Sequence, residues 1–447
     1  MRDAAMPNCF ARTIERRRPI LPRLSQGIFV AGFLLNATVS SRADDTNLVN
    51  EVKQLREQNA QLQQQLKQQG EQINALSRQF KDLQAAQPAG DGGEKPEAHT
   101  SSALNKVIIG GEGGAGYALT GPQGFAANGK FQLDDARLFL DAPVWNDVYF
   151  YGEVLLAYPG QTDNQLELGE LYVDFENVSK LWNQDDQLSA RAGQMYIPFG
   201  EEYLTRTAIN NPLISESLLD FWGLNPGAEL YGKLGKFSYV AAVQNGARDA
   251  NGAGGDKSVA ARIGFDPEEH WHFSVSGMRT GDLNAGQLSA MWFAGGFFRS
   301  VGSAATTRFH VNAVEADSTA RWKSGHVKVF GGVARYDDND PTADNGRNIY
   351  YYSAEVLQNL PKNFYAVTRW SQAYCNDGVP MVGFGNFGNY FFGPLTENLW
   401  RWSLGLGYKF SERLVLKAEY SLERGYLTGG TKRNQEDFFG TEAAFGF

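Results

Sequence analysis

From about Lys106 onward, charged side chains recur at alternate positions, and the chemistry they offer is electrostatic rather than covalent. Asp135 and Arg137 share one face, opposite Ala136, Leu138 and Leu140. Glu170, Tyr172 and Asp174 oppose Leu171, Val173 and Phe175 in the same way. Arg191 opposes Ala190 and Ala192, Arg262 opposes Ala261 and Ile263, and Arg369 opposes Thr368 and Trp370. Arg401, Lys417 and Glu419 come from the final hairpin. Successive side chains of a strand point to opposite faces, so each charge sits back to back with an apolar or neutral neighbour. Acids and bases arranged this way around a water-filled lumen set up a transverse field and select ions by sign. Arg137, Arg191, Arg262 and Arg369 are the expected selectivity residues, with Arg206 in a long connection. Many lumen charges also pair across strands and simply hold water inside.

Residues for covalent chemistry are not arranged to perform it. The five histidines (His99, His270, His272, His310, His326) are scattered. His270-Trp-His272 is a period-two pair beside a short turn, and one such pair does not make a metal site. Gly110-Gly111-Glu112-Gly113-Gly114 lacks the strand–loop–helix setting and the Lys-Ser/Thr of a phosphate cradle, so close strand packing is its expected role. No catalytic set, metal site or cofactor is expected, and the chain is not read as an enzyme.

The elements that would carry the charges are long strands. In Trp400–Phe410 one face reads Trp400, Trp402, Leu404, Leu406, Tyr408, Phe410, and the other Arg401, Ser403, Gly405, Gly407, Lys409. A polar turn follows, and Leu414, Leu416, Ala418, Tyr420 and Leu422 then alternate with Val415, Lys417, Glu419, Ser421 and Glu423. Strands of ten or more residues with one greasy face and aromatic ends suit an all-β transmembrane barrel of antiparallel strands. Gly numbers 50, aromatics reach 13% and charged residues only 20%, which fits that class. Short turns are expected after Asp141, Phe175, Leu234, Phe265, Trp322, Leu360 and Phe410. Long connections alternate with them, the longest being Ile197–Pro226 and Thr280–Thr307. About 16 strands result if Gln287–Phe298 belongs to a loop. Counting it as a strand gives 17, and the even number fits single-chain bacterial barrels.

The N-terminal part divides into three. Residues 1–43 read as a signal peptide, with Arg12, Arg16, Arg17, Arg18 and Arg23 before the apolar run Gly27–Val39 and a small-x-small site at Ser41-Arg42-Ala43. Its removal would move the formal net charge from -9 to -14, an acidic balance that argues against nucleic-acid binding, and would leave Cys375 as the one cysteine. Residues 44–84 read as an N-terminal α-helical coiled coil, periplasmic and oligomerising. Leu48, Val52, Leu55, Asn59, Leu62, Leu66, Gln69, Ile73, Leu76, Phe80 and Leu83 alternate spacings of four and three. Asn59 and Gln69 are the polar members that would fix register. Residues 85–104 read as a flexible linker, with Pro88 and Pro96, and residues 105–447 as the barrel.

The stretch Gly193-Gln-Met-Tyr-Ile-Pro-Phe-Gly200, followed by Glu202 and Thr205, resembles the phosphate-selective porin family (porins O and P) of bacterial outer membranes. The Asp134–Leu140 and Asp147–Glu153 strand pair, the Glu229–Gly246 hairpin with its Gly235-Lys236 turn and the terminal Phe447 are similar in layout. The resemblance implies a trimeric 16-stranded porin in which inward-folded loops narrow the lumen and basic side chains select anions such as phosphate. By position along the chain, Ile197–Pro226 is the third long loop and Thr280–Thr307 the fifth, and both are long enough to fold inward. Phosphate-binding members carry a row of Arg on one wall and a Lys cluster. Here Asp134 and Asp135 precede Arg137, and no dense Lys cluster is present. The functional expectation is passive diffusion of small hydrophilic solutes. Its rivals are a structural anchor whose coiled coil tethers the envelope to the cell wall, and a barrel-borne hydrolase for which no Ser/His/acid group is visible.

Overall fold

The computed structural model describes residues 107–156, 166–246, 256–285, 291–293, 296–383 and 395–447. The signal peptide, the coiled coil with Asn59 and Gln69, and the linker lie outside the described residues. Among the described residues, sixteen long antiparallel strands follow one another round a closed barrel. They are β1 (Ile108–Thr120), β2 (Lys130–Trp145), β3 (Val148–Leu155), β4 (Glu167–Phe175), β5 (Ser189–Tyr196), β6 (Phe221–Leu234), β7 (Phe237–Asn245) and β8 (Lys257–Glu268). The second half comprises β9 (Trp271–Arg279), β10 (Arg308–Trp322), β11 (Gly325–Asp338), β12 (Arg347–Asn359), β13 (Phe364–Val379), β14 (Thr396–Ser411), β15 (Leu414–Leu427) and β16 (Phe438–Gly446). Closure comes from β1 pairing with β16, from Glu112↔Gly446 to Thr120↔Phe438. A closed sheet leaves no unpaired edge, which is what a hydrocarbon surround demands of a β-structure. No helix among the described residues is long and apolar enough to cross a membrane, which says nothing against strands doing so.

Period-two patterning decides which way each strand faces. On β14 and β15, Arg401, Ser403, Lys417, Glu419, Ser421 and Glu423 are buried inside, while Trp402, Leu404, Leu406, Leu414, Leu416 and Tyr420 are exposed outside. Aromatic rings gather outside at the short-turn rim. Phe237 stacks on Phe265 at 4.8 Å, and Tyr408 meets Phe364 at 4.8 Å and Phe410 at 4.7 Å. Such a girdle with an apolar band above it is the outer surface of a membrane barrel. Replacing Leu404, near the middle of β14, with Arg is expected to cost roughly 2–4 kcal/mol. Urea unfolding in lipid vesicles measures it, with Leu404→Gln as the uncharged comparison.

Three connections differ from the sequence expectation. β2 does not turn after Asp141 but runs on to Trp145, because Asp147 adopts the left-handed conformation (φ 57) and closes the turn there. β8 continues past Phe265 to Glu268 before its turn. The connection after Phe175 is not short: residues 176–188 hold a 3-10 turn, Val178–Trp182, bounded by left-handed Asn177 and Asn183 and tied by the Ser179 hydroxyl to the Gln187 and Leu188 amides. The described residues of the Gln287–Phe298 stretch are not among the sixteen strands of the wall. Its short strands Met291–Phe293 and Gly296–Phe298 pair with each other, and on either side with Phe221–Gly223 and Met381–Gly383. The glycine run at Gly110–Gly114 forms β1. A Cβ on Gly113 would come within 2.9 Å of the Ala136 Cα, beside a bulge between Glu112 and Gly114.

Candidate functional site

Residues 197–220, between β5 and β6, leave the wall and cross the lumen. The chain turns inward at Gly200, whose φ of 62 suits glycine and disfavours residues with a Cβ. The Gly200 amide donates to the Ser276 hydroxyl at 3.0 Å, and Arg262 donates to the Gly200 carbonyl and to the Tyr203 hydroxyl. Glu201 lies 2.7 Å from His272, whose other ring nitrogen meets Asp266 at 2.6 Å. Burial pushes the Glu201 carboxyl up, but the His272 hydrogen bond and the nearby Arg262 outweigh it and hold it below the usual carboxylate range. A 3-10 turn, Glu202–Thr205, follows. Glu202 accepts the Ser217 amide at 2.9 Å, and Arg206 bridges to Glu216 at 2.8 Å while its guanidinium lies 3.5 Å from the Trp222 ring centre. The loop is therefore closed on itself at its base.

Its tip is held by the opposite wall. Glu419 accepts the Ile214 amide at 2.7 Å, the Ser215 amide at 2.8 Å and the Ser215 hydroxyl at 2.5 Å. Lys417 donates to the Ala208 and Leu213 carbonyls and bridges to Glu442 at 2.9 Å. Arg369 donates to the Ser215 carbonyl at 2.8 Å and to Asn211 at 3.1 Å, and holds Glu355 at 2.6 Å. Arg401 donates to the Glu216 carbonyl at 3.2 Å while paired with Glu423 at 3.0 Å. A loop anchored by buried charges on β8–β9 and again on β13–β15 is a fixed partition across the lumen. Hydrogen bonds to ionised groups are the stronger kind, and in a dry setting they are costly to break.

The upper half of β9–β14 is filled with apolar side chains. On β10, Phe309, Val311 and Ala313 share the inward face with Glu315, Asp317 and Thr319 further down. They pack with Ile197, Phe199, Leu218, Leu219 and Phe221 of the loop region, and with Phe298 and Met381. Two cavities border the loop among the described residues. One, of about 160 Å³, lies between β2–β5 and Tyr203–Thr207, lined by Arg137, Arg191, Arg206, six carboxylates and the rings of Tyr149, Tyr151, Tyr172 and Tyr196. The other, about 100 Å³, lies toward β10–β13 around Glu202, Asp317, Lys328, Glu355 and Arg369. Leu204 borders both.

The sequence-derived residues therefore fall into two groups. Arg137, Glu170, Arg191 and Arg206 border the first cavity, with Asp135 bonded to Arg137. Arg262, Arg369, Arg401, Lys417 and Glu419 instead hold the loop. Sequence reading faced Asp174 inward but did not pair it with Arg191, and it missed the other partners that occupy the guanidiniums: Glu112 and Glu153 on Arg137, and Glu229 on Arg191. Alternation alone could also have found Glu153, which shares a face with Tyr151. Sequence reading also missed Tyr149, Tyr151 and Tyr196, and the apolar filling, where inward and outward sides are both greasy.

No protein-family model matches the sequence, and no curated protein matches it. Solved structures do match. A loop-deleted form of OmpT, an outer-membrane protein of Vibrio cholerae, superposes with a TM-score of 0.51 at 13% identity, over 76% of this chain and 99% of that one. The outer-membrane channel DcaP of Acinetobacter baumannii gives 0.50 at 15%, over 76% and 97%. An anion-selective porin from Comamonas acidovorans gives 0.50 at 10%, over 76% and 99%. The fold is that of the outer-membrane porins. At these identities the likeness establishes the fold and leaves the permeant to be argued from this chain's own residues.

Proposed function

We propose that the protein is a porin of the bacterial outer membrane, a passive diffusion channel for small hydrophilic solutes that performs no catalysis. The observation that carries this is the partition at residues 197–220. Buried charges on two walls fix it across a polar lumen, leaving cavities lined by ionisable groups beside it, the arrangement that sorts solutes by size and charge. A homotrimer with a periplasmic coiled coil is the assembly that the family resemblance and the heptads suggest. A barrel serving only to tether the envelope through cell-wall contacts would have no use for so many charges along its passages.

The finer expectation is that the permeants are anions such as phosphate. An anion site of that kind needs guanidiniums free to meet the anion. Arg137, Arg191, Arg206, Arg369 and Arg401 each already hold at least one carboxylate within about 3.3 Å. Single-channel recording of the full chain in planar bilayers tests the proposal. Stepwise openings in threes are the expected result, and added phosphate is expected to leave the current unblocked. A dose-dependent block would restore the phosphate reading. Silence from a correctly folded barrel would overturn the channel itself.

A further inference from the structure

We infer that the passage along β2–β5 admits small cations in preference to anions, organic ammonium and guanidinium ions included. This rests on the channel reading above and names the permeant class for it. Around the cavity stand six carboxylates, among them Glu153, Glu170, Asp174 and Glu176, against three guanidiniums, Arg137, Arg191 and Arg206. The two wall guanidiniums are also outnumbered locally, while Arg206 in the loop is matched by Glu216. Arg137 lies within 2.7 Å of Glu112, 3.1 Å of Glu153 and 3.4 Å of Asp135. Arg191 meets Asp174 at 2.9 Å and Glu229 at 3.3 Å. One positive charge among two or three negative ones leaves a negative local field, so no Arg on this wall presents a surplus to an anion. Glu170 accepts the Tyr196 amide at 3.2 Å.

The remaining lining works in the same direction. Tyr149, Tyr151, Tyr172, Tyr196 and Tyr203 border the cavity, and aromatic faces attract cations through the ring quadrupole. Arg191 already uses this contact, its guanidinium 4.4 Å from the Tyr172 ring centre and 4.9 Å from that of Tyr231. The second cavity repeats the sign more weakly, with Glu201, Glu202, Asp317 and Glu355 against Arg321, Lys328 and Arg369. A narrow passage with low-dielectric walls concentrates the field of its lining, so a small excess of one sign suffices to bias the flow.

The test is the reversal potential of the full-length protein in planar bilayers under a potassium chloride gradient at mildly alkaline pH. Potassium permeability several-fold above chloride is expected, and Glu170→Gln combined with Glu176→Gln should bring the ratio toward unity. A second readout does not depend on current. With Cys375→Ser to remove the buried native thiol, Leu204→Cys should react several-fold faster with a trimethylammonium-bearing thiosulfonate than with a sulfonate-bearing one. An anion-biased potential, or equal or reversed reagent rates, would overturn the inference while leaving the channel intact. Absence of any conductance from folded barrel would overturn the channel reading and this inference with it.

Discussion

Replacing Glu419 with alanine is expected to raise single-channel conductance several-fold and to make the open level noisy. Its carboxylate takes two amides and a hydroxyl from the loop tip at Ile214 and Ser215, and the Ser421 hydroxyl at 2.6 Å. Bonds to an ionised group contribute about 1.5–3 kcal/mol each, so three lost together outweigh any single anchor that remains. Lys417 and Arg369 still touch the neighbouring carbonyls, but the two amides at the tip would be left buried without an acceptor. The barrel wall should survive, because the backbone pairing of Glu419 with Gly405 and Gly440 is untouched. Glu419→Gln should fall between, since its amide keeps only one acceptor oxygen. The comparison is made in planar bilayers on protein shown to be folded by its mobility with and without heating. Wild-type conductance from a folded alanine variant would mean that the tip does not limit flow.

What the sequence made legible follows from which interactions are periodic. The facing of Arg137, Arg191, Arg262 and Arg369 was readable because each stands between two residues of opposite character, and a one-residue slip would send charge into hydrocarbon. The strand count was readable for the same reason, and because Gly, Pro and polar runs mark the turns. The task of each charge was not. Arg369 and Arg137 look alike in the sequence, yet one holds the Ser215 carbonyl of a loop more than a hundred residues away and the other pairs with acids of its own wall. That difference depends on where residues 197–220 fold, and nothing periodic encodes it. The upper β9–β14 lining was hidden for a related reason. Phe309, Val311 and Ala313 face inward onto Phe199 and Leu218, so both faces are apolar there and alternation carries no signal. Glu201 is a third case. Its partner His272 was singled out as a strand-end residue, and the contact that gives it a role comes from the loop.

Arg137→Ala should destabilise the barrel by about 3–5 kcal/mol, the cost of stripping the partner from buried charge. The guanidinium divides its nitrogens among three carboxylates: Nε to Glu112 at 2.7 Å, Nη1 to Glu153 at 3.1 Å and Nη2 to Asp135 at 3.4 Å. Asp135 is itself held at a φ of 39 beside the β1 bulge, so it cannot easily swing away. Without the cation, three largely buried carboxylates would repel one another, so that either β1 to β3, which carry them, are pushed apart or the carboxylates take up protons. Lysine is not a substitute. Its ammonium is a point charge on a flexible stem and cannot reach three acids from a planar fork, so Arg137→Lys should lie between alanine and wild type. Glu153→Gln added to Arg137→Ala should recover part of the loss by removing the most deeply buried of the three charges. Urea unfolding in lipid vesicles, run as a double-mutant cycle, gives the coupling directly. An alanine variant within about 0.5 kcal/mol of wild type would mean that water, rather than Arg137, neutralises this wall.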